Sequence, residues 1–209
     1  MSGHITEKIL HETYCDLTER ARIGLDFLVL TVSAAAICAL GFRMNNAAVI
    51  VGAMVISPLL FPVICVAVAT YQADWRESIR AAGTFAVGFL AAITAAVVVD
   101  LFHATDFRSE IVDRISASRM DYFFVAFFSG LAGTYAFFSP KVHEAVAGIA
   151  ICVALIPPVV MLGIGIAKEN TDLIFVSATI VFANVIGIYL GSLVMVVVLH
   201  QITRNRVAS

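Results

Sequence analysis

Residues 45–62 read NNAAVIVGAMVISPLLFP, an apolar run interrupted by Ser57-Pro58 and again by Pro62. Extended outward, the run covers 46–70. As one straight helix it would reach ~37 Å, more than the ~30 Å of hydrocarbon in a bilayer. A few unwound residues therefore fit. A proline inside a helix removes one N–H and frees the carbonyl four residues earlier. Pro58 is expected to free Met54, and Pro62 the carbonyl of Pro58. In lipid each bare group costs several kcal/mol, so such groups are expected to face protein, a wet cavity or a solute. A second stretch, GIAICVALIPP from Gly148 to Pro158, repeats the pattern, with Val153 and Ala154 as the expected free carbonyls.

Five further runs flank 46–70, and the six predicted spans are 23–42, 46–70, 82–102, 120–138, 143–167 and 172–199. The whole chain agrees. Of 209 residues, 61% are apolar and 13% charged, where a soluble domain carries about 25% charged. Mean hydropathy is +0.97. A soluble protein of this size has too little interior for that much apolar surface. This excludes a soluble enzyme and a disordered chain, and a net charge of −2 leaves no basic field for nucleic acid. Cys15, Cys38, Cys65 and Cys152 form no C-x-x-C pair and read as packing residues, not metal ligands. Residues 1–22 mix acids and bases without a basic n-region, which argues against a cleaved signal peptide. Ile5, Ile9, Leu17 and Ala21 recur at helical spacing and predict a short amphipathic helix on the membrane surface.

A gapless shift of 96 residues pairs Phe27 with Phe123, Ser33 with Ser129, Gly52 with Gly148, Leu59 with Leu155 and Pro62 with Pro158. The two proline breaks coincide under it. Each half holds three spans, an odd number, so the second half is expected to enter from the opposite face, as in inverted-repeat channels and transporters. The expected fold is thus an all-α integral membrane protein, a 3+3 inverted repeat broken in its second and fifth spans. Its parts are an N-terminal segment 1–22, a first repeat 23–102, a connecting loop 103–119, a second repeat 120–199 and a tail 200–209.

The stretch Asn45 to Pro62, followed by Gly148 to Pro158, resembles the hydrophobic prokaryotic membrane proteins grouped as domain of unknown function 389, over about Leu40 to Leu190. Where that family usually continues with Met-Gly-Pro, this chain has Leu60, Phe61 and Pro62. The resemblance implies a prokaryotic membrane protein and no reaction. The architecture is also similar to that of formate and nitrite channels, although no histidine stands near Pro157 or Pro158.

Two half-helix N-termini at mid-depth would each carry about half a positive charge and favour an anion or a polar solute, whereas freed carbonyls would favour a cation. The residues expected to meet a solute or ion are Ser57, Pro58, Pro62, Pro157, Pro158 and Asn184. The Ser57 hydroxyl either meets that solute or bonds back to the Ala53 carbonyl. Asn45, Asn46, His143 and Glu144 occupy the turns entering the broken spans, either as mouths of a path or as caps. Thr94, Ser129, Thr134, Ser177 and Thr179 are expected to bond between helices. Asp26 and Asp100 lie near span ends and read as boundary residues. The stripes Gly88, Ala92, Ala96 and Ala183, Gly187, Gly191 predict close helix packing.

The function expected from these features is a channel or facilitator for a small solute or ion, its path at the interface of the two broken helices. A membrane scaffold or sensor module is the alternative. An intramembrane enzyme is a third reading, weakened because every histidine lies at a span end or in a tail. No cofactor and no metal is expected. The expected partners are the bilayer, the solute and further copies of the chain, with no nucleic acid. Lys and Arg divide eight against five in favour of the face holding both termini, which predicts cytoplasmic termini in a prokaryotic inner membrane.

Overall fold

The computed structural model describes residues 13–102, 119–138 and 155–208. Among the described residues the protein is all helix, with eight helices and no strand. They are α1 (13–20), α2 (Leu25–Arg43), α3 (Ala47–Ile56), α4 (Leu60–Tyr71), α5 (Trp75–Leu101), α6 (Arg119–Phe138), α7 (Ile156–Ala167) and α8 (Thr171–Ala208). Four of them, α2, α5, α6 and α8, are long and apolar enough to cross a membrane, and the bent pair α3–α4 passes the same test when its two helices are taken together. Of the span predicted over 143–167, only α7 is described, and its 12 residues reach about 18 Å.

Three tight turns share one chemistry. Asn45, Ala73 and Glu169 take the left-handed conformation (φ 50°, 59° and 52°). The next residue then donates its N–H back to a carbonyl of the helix just ended: Asn46 to Gly41, Asp74 to Ala69 and Asn170 to Gly165, each at 2.9 Å. That same residue caps the helix that follows. Asn46 Oδ1 accepts from Ala48 N–H at 3.0 Å, Asp74 Oδ1 from Glu77 N–H at 3.1 Å, and Asn170 Oδ1 from Leu173 N–H at 3.0 Å. The Asp74 cap explains why the third span begins at Trp75, ahead of the predicted residue 82.

The half-helices form the core. Ten of the 12 residues of α7 and eight of the 12 in α4 are buried, against three of ten in α3. Helix α4 packs on α5 and α8; α7 packs on α5, α8 and α2. Directions follow from the neighbours. Val63 and Val66 face Val185, Ile186 and Tyr189, while Val68 and Tyr71 face Val196 and His200, so α4 runs parallel to α8. Gly163 touches Ala96, and Lys168 reaches Asp100, so α7 runs parallel to α5. Because α4 turns back into α5, α4 and α7 run in opposite directions.

Close backbone approach joins α6 to α8. A Cβ on Gly191 would stand 2.0 Å from the Phe127 carbonyl oxygen, one on Gly130 2.3 Å from that of Ile188, and one on Gly187 2.7 Å from that of Phe123. The small-residue stripes thus pack within one chain: Gly88 receives Leu59 and Phe27, and Ala96 receives Gly163. In lipid this shape fit is a main source of helix association. Gly191→Ala is expected to destabilise the fold by about 1–3 kcal/mol, read as a lowered Tm in detergent. Gly52→Ala, with nothing within 4 Å of the new Cβ, is expected to leave Tm unchanged or raise it.

Candidate functional site at the helix break

Helices α3 and α4 meet at 49° across Ser57, Pro58 and Leu59. The break is closed: Ser57 is 9% exposed, Leu59 1% and Leu60 3%. Two of its carbonyls are satisfied locally, against the expectation from sequence. The Met54 carbonyl accepts from Ser57 N–H at 3.3 Å, and the Pro58 carbonyl from Phe61 N–H at 3.1 Å. Both carbonyls expected to be bare are therefore bonded, because the chain tightens by one residue at the break. The Ser57 hydroxyl does not return to Ala53. It accepts from Leu59 N–H at 3.4 Å.

The break lies at the middle of α5, where Leu59 packs on Gly88. Helix α7 opens on the same level. Gly163 lies against Ala96, and its first residue Ile156 stands about 10 Å back along the axis. Pro157 and Pro158 sit in its first turn, fully within the buried set, where a missing N–H costs least. The helix ends correspond by one offset. Leu60 and Ile156, Tyr71 and Ala167, Ala73 and Glu169, and Asp74 and Asn170 are each 96 residues apart. Under it Asn184 stands where Gly88 stands in α5, and Asn184 is fully buried.

The six residues expected to meet a solute, Ser57, Pro58, Pro62, Pro157, Pro158 and Asn184, are thus all buried, and the α3–α4 break and the start of α7 share one level of the bundle. Asn45 and Asn46 are exposed, and Asn46 is a cap. His143 and Glu144, with the Val153 and Ala154 carbonyls, lie outside the described residues. Thr94, Ser129 and Thr179 do not bond between helices; each hydroxyl donates to the carbonyl four residues earlier, at 2.7–2.8 Å. Thr134 and Ser177 are fully buried, and among the described residues their hydroxyls have no hydrogen-bond partner. Ser192, which sequence reasoning passed over, makes an interhelix bond to the Gly130 carbonyl at 3.4 Å.

Two hollows lie elsewhere. One of about 670 Å3 is lined by Tyr71, Gln72, Phe138 and His200; one of about 210 Å3 lies between Val63, Phe85 and Tyr189. Neither of these two touches the break prolines.

A second polar feature ties the far ends of three helices. Asp100, 2% exposed, pairs with Arg43 at the end of α2 and, at 3.3 Å, with Lys168 at the end of α7. Arg43 also donates to the Asp100 carbonyl at 3.3 Å. Cations at helix C-termini complement the dipoles, and the shared carboxylate keeps two of them together. Asp100 is thus a boundary residue with a structural role. Asp100→Asn is expected to cost about 1–3 kcal/mol, because it leaves two cations facing each other without their counter-charge. Adding Lys168→Gln is expected to return part of that loss in a thermal-melt cycle.

Apolar helices, a broken span and a buried helix-end ion cluster define a multi-pass helical membrane protein. Residues 54–190 match the family described as Domain of unknown function (DUF389). That is more than half of the chain, and the chain belongs to this family. An uncharacterised protein of Methanocaldococcus jannaschii is 21% identical over 190 residues, covering 90% of this chain. The chain spans 58% of that relative's length. No solved structure matches the chain.

Proposed function

We propose that this protein is a channel or facilitator for a small solute or ion, built as a six-span inverted repeat, with its path where the two broken spans meet. One observation carries the reading. Helices α4 and α7 have equal length, stand 96 residues apart at both ends, and run in opposite directions from the middle of α5. Half-helices that begin at mid-depth from opposite faces are the geometry used to hold a solute in inverted-repeat transporters. Both aim the positive ends of their dipoles at that level, which favours an anion or an electron-rich solute. Pro62, Pro157 and Pro158 remove first-turn N–H donors, so a solute would feel a field more than a set of hydrogen bonds. We further propose no catalytic role, a homo-oligomeric assembly, and a prokaryotic inner membrane with cytoplasmic termini.

The scaffold reading has its own support in the satisfied Met54 and Pro58 carbonyls. Flux separates the two. Purified chain in liposomes, tested against a panel of inorganic anions, cations and small polar solutes, is expected to pass at least one. Pro58→Ala with Pro62→Ala is expected to cut that flux by about tenfold or more, a barrier change of about 1.4 kcal/mol, while assembly is kept. Liposomes that pass nothing on the panel overturn transport in favour of the scaffold.

A further inference from the structure

Helix α1 is folded against the bundle where α4 ends and α5 begins. The Tyr14 hydroxyl donates to Asp74 Oδ2 at 3.2 Å, and Arg80 donates to the Thr18 carbonyl at 3.3 Å. Leu17 and Ala21 are fully buried. Burial, and after it the Asp74 charge, push the Tyr14 phenol above its ordinary range, so it remains a donor. The Arg20 guanidinium lies 5.7 Å from the centre of the Phe61 ring and 5.9 Å from that of Phe137. Those two rings meet edge-on at 6.2 Å. Phe61 opens α4 just past the break, and Phe137 closes α6. The pair therefore shuts the seam between α4 and α6, and Arg20 lies across it.

One turn along α4 from Phe61, Cys65 is fully buried, within electrostatic range of Tyr14, Asp74, Glu77 and Arg80. The ties that hold α1 here are of a reversible kind. Arg20 is exposed, with 48% of its side chain open to solvent. A cation over aromatic rings and two hydrogen bonds are individually weak. Beyond them α1 and its link contribute two fully buried apolar residues, Leu17 and Ala21, where α7 contributes a helix almost wholly enclosed. Segments with few buried contacts open below the global unfolding free energy.

We propose that α1 is a separable cap over the α4–α6 seam. It lifts as a unit on the face of Asp74 and Arg80 and admits water to Cys65 and the Phe61–Phe137 pair while the bundle stays folded. The inference concerns water access alone and does not depend on transport. Cys38, fully buried in α2, supplies an internal standard for folding.

The test uses the full chain in nanodiscs with Cys15→Ser and Cys152→Ser, leaving Cys38 and Cys65. A membrane-impermeant maleimide is added, and each site is quantified by peptide mass. Combining Tyr14→Phe with Arg20→Ala is expected to speed labelling of Cys65 about tenfold by removing two of the ties, with Cys38 still protected. Arg20→Lys alone keeps a cation over the rings and is expected to label at close to the parent rate. An unchanged Cys65 rate in the double variant overturns the cap. So does parallel exposure of Cys38 and Cys65, which would make α1 part of the general stability of the bundle.

Discussion

A bilayer offers no water to a backbone N–H or C=O, so every irregular residue at depth must find its partners inside the protein. Around residues 57–59 three of these partnerships close within one turn. Ser57 N–H serves the Met54 carbonyl, Phe61 N–H serves Pro58, and the Ser57 hydroxyl takes the Leu59 N–H. Pro62 removes a donor where a helix start would otherwise leave one over. The bend costs little, and it leaves α4 a short helix that begins in the middle of the bundle and is enclosed by α5 and α8.

The rest of the architecture is arranged around such short helices. They end in turns of one design, a left-handed residue followed by an Asn or Asp that closes the old helix and caps the new one. Their ends are then fixed from two sides. Near Lys168 the Asp100 carboxylate gathers cations from α2 and α7; near Asp74 the polar edge of α5 receives α1. Between these poles the contacts are largely shape, with glycines of α6 and α8 letting two backbones approach and Ser192 bonding to the Gly130 carbonyl.

Much of this was legible in the sequence because it rests on residues with one strong local preference. Pro58 marks a break, Pro157 and Pro158 mark a helix start, and Asn46 marks a cap. The 96-residue shift between Pro62 and Pro158 reappears in the bounds of α4 and α7. Membrane residence followed from apolar content. What was not legible depended on partners distant in sequence. A proline rule names the carbonyl that loses its usual donor, but not the donor that replaces it, so Met54 and Pro58 were misread. Asp100 looked like a residue at a span end because nothing local ties it to Arg43 and Lys168. Arg20 entered that count as one more charge, with no sign that Phe61 and Phe137 would lie beneath it.

The central claim is that the two halves sit in the membrane upside down to each other, so that α4 and α7 approach its middle from opposite faces. The corresponding turn residues Ala73 and Glu169 report this directly. Each is replaced singly by cysteine in a chain whose four native cysteines are substituted, and sealed vesicles of one orientation are treated with an impermeant thiol reagent. One position should label in intact vesicles and the other only after the membrane is opened. Labelling of both from the same side would contradict the account.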